Sequence, residues 1–299
     1  MNENILNELK RALLARVPLK NLPEPVLERQ AIINTWGTNS IEGNTLTLEE
    51  VRKVLTDGVG IKNRPIRDIL ETVNHNEVFL SLVGLVPKRV DHAMVQELHE
   101  RVFKGVKSYA GHWRESNVWI VGASFTPPRW EKVIPLMTEW GKEYAAKEKK
   151  SGNVLESAAW MHHRFETIHP FTDGNGRVGR LLLNLHFLKH DWPPVNVAPT
   201  NRIEYYMALD KGNDGDMSAL SEFLRIAMSQ SLIDLLDQVG KMKEDGLRTI
   251  AELGKKGPYS AKYLGLRAKQ GNLPAIKRAG EWMTSRRALG LYLKHVGRG

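Results

Sequence analysis

The sequence contains no cysteine in 299 residues. Disulfide scaffolds, thiolate zinc centres and thiol nucleophiles are excluded together, so any chemistry here runs on oxygen and nitrogen. Long apolar runs are missing too, since none approaches the roughly 20 residues that a membrane span needs. The opening residues, Met1 to Glu8, lack the basic-then-apolar order of a secretion signal. A cytoplasmic protein with no membrane partner is therefore expected. What is present, 41% hydrophobic and 26% charged residues, is an ordinary globular composition and argues against disorder. The length suggests two domains.

The formal charge of +9 is unevenly spread. Residues 246–299 hold 12 Lys/Arg against only Glu252 and Glu281, a balance of +10, while the other 245 residues carry 31 basic and 32 acidic side chains. A nearly neutral body with a basic tail is implied. The expected organisation is an N-terminal helical region over 1–110, a core over 111–245 and a basic domain over 246–299.

Apolar residues of the body recur at three and four positions, as in Ile69, Leu70, Val73, Val78, Phe79, Leu82 and Val83, a pattern that predicts amphipathic helix. Helices are expected over 25–41, 47–56, 65–84, 90–105, 130–148, 154–168, 176–190, 202–211 and 217–245. The fold class is mainly α. Residues 116–127 differ: Val118, Trp119, Ile120 and Val121 are β-branched or aromatic, and Thr126-Pro127-Pro128 ends the run. A small exposed hairpin is predicted there.

The chemistry concentrates in His169-Pro170-Phe171-Thr172-Asp173-Gly174-Asn175-Gly176-Arg177-Val178-Gly179-Arg180. Asp-Gly followed by Asn-Gly breaks regular structure, and the two glycines let backbone N–H groups converge on one spot. A helix resumes near Gly176, and a glycine turn opening a helix attracts phosphate. Arg177 and Arg180 stand three apart above that turn, which suits a polyphosphate. Pro170 pushes His169 out of helical geometry, so its imidazole can act as a base over the turn. Asp173 offers a hard oxygen suited to Mg²⁺ held mainly by substrate phosphates. These are the parts for moving a phosphorus group directly onto a hydroxyl. A zinc centre on His162, His163 and His169 is disfavoured, because no His-Glu-x-x-His spacing exists.

At these positions the sequence resembles the Fic family, whose signature His-Pro-Phe-x-Asp/Glu-Gly-Asn-Gly-Arg-x-x-Arg is met from His169 through Arg180. The resemblance covers about residues 20–240. It implies an all-helical Fic fold and transfer of AMP from ATP, with Mg²⁺, to a hydroxyl of a target protein. His169 would be the base and Asp173 the Mg²⁺ ligand, and Phe171 would anchor the loop. Gly174, Asn175 and Gly176 would form the anion nest, with Asn175 contacting phosphate and Arg177 and Arg180 clamping the triphosphate. The segment with Val118, Trp119, Ile120 and Val121 falls at the family's target-docking flap. Tyr205 and Tyr206 fall on the helix lining the adenine side. The family's inhibitory pattern, Ser/Thr-x-x-x-Glu-Gly/Asn, is matched by Thr38, Glu42 and Gly43. That places an inhibitory helix at about 30–44 and couples Glu42 to Arg180. Transfer of another phosphorus group, reversal of the modification and a nucleotide-sensing DNA regulator are the rival readings, and a homodimer is compatible with any of them.

In the tail, a short helix from Thr249 to Leu253, Gly257-Pro258 and a run from Ser260 to Gln270 suit a helix-turn-helix. The remainder resembles the wing and last helix of excisionase-like winged-helix modules. Lys262, Arg267, Lys269, Lys277 and Arg278 are the expected DNA contacts of this region.

Overall fold

The computed structural model describes residues 3–296 apart from Val121, Ser151, Lys241 and Lys256. In chain order the helices of the body are α1 (Glu3–Leu14), α2 (Glu24–Ile41), α3 (Leu48–Asp57), α4 (Ile66–Leu85), α5 (His92–Phe103), α6 (Val133–Lys149), α7 (Val154–Ile168), α8 (Asn175–Lys189), α9 (Arg202–Asn213) and α10 (Ser218–Val239). The tail continues as β1 (Leu247–Thr249), α11 (Ile250–Gly254), α12 (Ala261–Lys269), β2 (Ile276–Arg278), β3 (Glu281–Ser285) and α13 (Arg286–Val296). The chain divides into two compact units. One comprises Glu28–Asp191 with Asn196–Phe223, and the other Met1–Leu27, Trp192–Val195 and Leu224–Gly299.

The larger unit is a helical bundle built on α7 and α8, with α4, α5 and α6 packed around them. Every residue of α8 from Arg177 to Leu188 is buried, the mark of a helix enclosed on all sides. Asn153 starts α7 by accepting the Leu155 and Glu156 N–H groups. A capping box starts α3: Thr47 Oγ1 accepts the Glu50 N–H at 3.2 Å, and Glu50 Oε2 accepts the Thr47 N–H at 2.8 Å. Just before it, Asp68 Oδ2 accepts from the N–H and hydroxyl of Thr45 at 2.9 and 2.7 Å. The turn after α2, and with it Glu42, is thereby pinned to α4.

In the other unit, β3 lies between β1 and β2 in an antiparallel sheet, with Thr249 opposite Met283 and Lys277 opposite Trp282. Here Arg278 pairs with Asp234 and Asp237, and Arg287 and Arg16 pair with the buried Asp245.

All nine helices expected between residues 25 and 245 are present. The last is shorter than expected, ending at Val239 rather than 245, where Gly240, a poor helix former common at helix C-termini, follows. Helix α1 was absent from the expectation, although Ile5, Leu6, Leu9 and Leu13 form its buried stripe. The hairpin expected over 116–127 is corrected: among the described residues no strand falls there. Side chains join the arms in place of a ladder. The Trp130 N–H donates to Asn117 Oδ1 at 3.1 Å, and Arg114 donates to the carbonyls of both Ser116 and Pro128. Among the described residues no helix is long and apolar enough to cross a membrane.

Candidate active site

The signature loop is fixed from within. Helix α7 ends at His169, a non-glycine residue in the left-handed region (φ 49°, ψ 61°), whose N–H donates to the Phe165 carbonyl at 3.0 Å. Pro170 follows and bars further helix. Phe171 is fully buried and stacks on His99 with ring centroids 3.7 Å apart. The Asn175 amide reaches back across the turn, accepting the Phe171 N–H and donating to the Phe171 carbonyl, both at 2.9 Å. Gly174 opens α8 at φ 84°, and a Cβ there would lie 2.1 Å from the Phe103 ring. The first N–H groups of α8 have no partners within the helix and face its N-terminal end.

A cavity of about 380 Å³ lies beside this turn, lined by Glu42, Glu166, His169, Gly176, Arg180, Tyr205 and Tyr206 among others. Burial pushes the His169 imidazole down to about 4, so the ring is neutral near pH 7. Its Nδ1 lies 3.3 Å from the Glu166 carbonyl, which can only accept. Nδ1 therefore carries the proton and Nε2 keeps a lone pair. Arg114, itself buried, donates from Nε to the His169 carbonyl at 2.8 Å and so ties the residue to the base of the 116–128 segment.

Arg180 forms the wall opposite. Its Nε donates to Thr38 Oγ1 at 2.6 Å and its Nη2 to Glu42 Oε1 at 2.7 Å. Burial opposes the guanidinium charge, but Glu42 outweighs it and the pKa is raised. Gly176 makes the contact possible, because a Cβ there would lie 2.3 Å from Glu42 Oε1. The cavity also holds Glu166, which the sequence reading missed. Burial raises its pKa to about 8, and its buried Oε1 has no hydrogen-bond partner among the described residues. Its spacing three before His169 on one helix was the available signal.

The other expected site residues divide. Tyr205 is buried with its hydroxyl 2.6 Å from His162 Nε2, while Tyr206 is 39% exposed beneath the Arg202 guanidinium. The Arg177 side chain lies outside the cavity lining. It is buried against Glu71 at 2.9 Å and over the Phe103 ring. The Asn175 amide is engaged inside the loop, which leaves its main-chain N–H rather than its side chain for an anion. Of the flap residues, Ile120 lines the cavity, Trp119 is 77% exposed, Val118 is partly buried, and Val121 lies outside the described residues. In the tail, Lys262, Lys269 and Lys277 are exposed. Arg267 instead donates to the Tyr292 hydroxyl at 3.0 Å, and Arg278 is held by its two aspartates.

Residues 89–187, which include the whole loop, match the model of the Fic/DOC family. That stretch of the chain is a Fic domain. Similar proteins include protein adenylyltransferase fic-1 of Caenorhabditis briggsae, 32% identical over 213 residues that make up 70% of this chain and 41% of that one. Protein adenylyltransferase Fic of Nematostella vectensis is 30% identical, over 75% of this chain and 54% of its own. The chain thus spans about half the length, or less, of these curated relatives. Among solved structures, Fic-1 of C. elegans superposes with a TM-score of 0.65 at 27% identity, covering 81% of this chain and 74% of that one. A Fic-domain signalling protein of Bacteroides thetaiotaomicron gives 0.72 at 21% identity, covering 79% and 97%.

Among the described residues of this Fic-domain chain, no group of three or more His, Asp or Glu is arranged to hold a metal alone. Asp173 offers one carboxylate. Burial opposes its charge, but Arg177 and Lys107 outweigh that and hold its pKa below the usual carboxylate range. One ionised oxygen donor beside an anion nest fits Mg²⁺, which takes one or two carboxylates and completes its shell with water and phosphate oxygens.

Proposed function

We propose that this chain is an autoinhibited protein adenylyltransferase that transfers AMP from Mg-ATP to a hydroxyl of a target protein and releases pyrophosphate. The observation that carries this reading is the Glu42–Arg180 contact at 2.7 Å in the cavity that also receives His169. The relatives' names support the reaction class.

The N–H groups opening α8 and the Arg180 guanidinium bind the phosphate chain. Asp173 would hold Mg²⁺, which would neutralise phosphate charge there. Tyr205 and Tyr206 wall the nucleoside end of the cavity. The neutral His169 takes the proton of the target hydroxyl at Nε2 as that oxygen attacks the α-phosphorus. The Nδ1 hydrogen bond and Arg114 keep the ring aimed, and neighbouring phosphates raise its basicity, since they favour the protonated ring. The target's chain lies along the segment containing Val118, Trp119 and Ile120, whose described residues form no strand ladder with each other, and binds there by strand addition.

Glu42 is the brake. Its carboxylate occupies the anion-binding face of Arg180 and repels an incoming triphosphate, so nucleotide binds weakly or out of line for attack. Incorporation of labelled AMP into a lysate separates the roles. Glu42→Gly is expected to raise it strongly, and His169→Ala in that background to abolish it. Equal rates for wild type and Glu42→Gly would remove the brake.

A further inference from the structure

The loop leaving α5 is built against the signature loop by three side chains. His99 Nδ1 accepts the Gly111 N–H at 2.8 Å, and its Nε2 donates to the Asp173 carbonyl at 3.0 Å. Phe103 packs beside Gly174 and under Arg177. The third is Lys107, whose Nζ lies 3.0 Å from Asp173 Oδ2. The turn at Gly105 (φ 71°) places it, with the Val106 and Lys107 N–H groups both donating to the Phe103 carbonyl at 2.9 and 3.1 Å.

This pair differs from an ordinary surface ion pair, which contributes little. The Lys107 side chain is only 19% exposed. Asp173 Oδ1 already accepts the Gly174 N–H at 2.7 Å, so Lys107 sits on the oxygen that remains for a further cation. The two signature arginines are held by carboxylates, Arg177 by Glu71 and Arg180 by Glu42. Arg177 Nη2 also lies 3.6 Å from Asp173 Oδ1, whereas Lys107 takes Oδ2 of that carboxylate, the one assigned to the metal.

We propose that Lys107 is the resting counter-ion of Asp173, on the oxygen a divalent cation would take, and a phosphate-binding residue of the nucleotide site. This rests on the reading that the signature loop binds a nucleoside triphosphate. An ammonium and a divalent ion on one carboxylate oxygen repel each other strongly, so the two compete for Asp173. Lysine has a flexible four-carbon stem and three donors. The anion available to a displaced ammonium here is the phosphate chain, which lysine binds as a point charge. Arginine retains that charge and reach, whereas methionine keeps the length without the charge.

The test uses the full chain with Glu42→Gly, so that nucleotide has access, alone and with Lys107→Met or Lys107→Arg. Titration of nucleotide-free protein with Mn²⁺, read by electron paramagnetic resonance, should show several-fold tighter binding for Lys107→Met. Calorimetry with a non-hydrolysable ATP analogue should show a loss of about tenfold for Lys107→Met, the scale of a charged hydrogen bond. AMP affinity should stay unchanged, and Lys107→Arg should retain most of the triphosphate affinity. Unchanged Mn²⁺ binding or unchanged analogue affinity in Lys107→Met overturns the proposal. An equal loss of AMP and analogue also overturns it, because it would report a displaced loop. If the Glu42→Gly parent binds neither nucleotide, the nucleotide reading itself fails and takes this proposal with it.

Discussion

Glu42 and Arg180 stand 138 residues apart in the chain, and their side chains meet at 2.7 Å. Thr38, one helical turn before Glu42, accepts from the same guanidinium through its hydroxyl at 2.6 Å. A single helix end thus supplies both a hydroxyl and a carboxylate to one arginine. Glu42→Gln keeps the shape and one hydrogen bond but removes the charge. The difference between charged and neutral hydrogen bonds is on the order of 1 kcal/mol, roughly fivefold in affinity. Calorimetry with a non-hydrolysable ATP analogue should place Glu42→Gln between wild type and Glu42→Gly. An affinity equal to wild type would show that charge is not what excludes the nucleotide.

The Glu71–Arg177 pair is 2% exposed on both sides. Removing Glu71 leaves the buried Arg177 with only the longer contact to Asp173 Oδ1 at 3.6 Å, so Glu71→Ala should cost about 3 kcal/mol. Urea unfolding of Glu71→Ala and of the double variant Glu71→Leu/Arg177→Met separates the causes. The double variant should recover much of the loss, and if both unfold at the same urea concentration the penalty is not electrostatic.

Gly174 combines a positive φ of 84° with the Phe103 ring in the place of a Cβ. Gly174→Ala should destabilise the fold by about 2 kcal/mol or more, since backbone strain and overpacking act together. A midpoint in urea unchanged from wild type would contradict this geometry.

Several histidines are held neutral by burial: His75, His162 and His186 are pushed down to about 3 and His169 to about 4, against an ordinary 6.5. Between those values the unfolded chain binds protons that the folded chain refuses. Their stability contribution is complete above pH 6.5 and declines as the pH falls towards 4. Calorimetric unfolding temperatures should therefore drop steadily below pH 6.5, and a flat profile down to pH 4.5 would count against their burial.

Glu166 titrates with the opposite sign. Burial raises it from 4.5 to about 8, so the folded chain holds an extra proton between those values and stability falls as the pH rises through them. Glu166→Gln should leave the unfolding temperature at pH 5 unchanged and raise it by a few degrees at pH 8.5. A rise of equal size at both pH values would point to packing instead.

The local elements were largely legible. The stripe Val178, Leu181, Leu182 and Leu183 and the Gly174 break announce α8 and its N-terminal turn. Hydrophobic period and turn chemistry act within a few residues, so they leave a trace in the string. The missing hairpin fails for the converse reason. Val118 and Ile120 have strand character, but Arg114 and Asn117 occupy the backbone groups at the base of the arms.

By itself, the sequence determined the helices, the glycine turn and the identity of the residues that can handle phosphate and a proton, because each depends on backbone freedom or side-chain type. Only tertiary structure decided which charges face the cavity. Arg177 and Arg180 are three residues apart and chemically identical, yet packing directs one to Glu71 in the core and the other to Glu42 at the cavity wall. It also decided that Glu166 is neutral and that Lys107 meets Asp173. Burial and pairing depend on neighbours far away in the chain, and of these pairs only Glu42 with Arg180 left a trace in the string, through the Thr38-Glu42-Gly43 pattern.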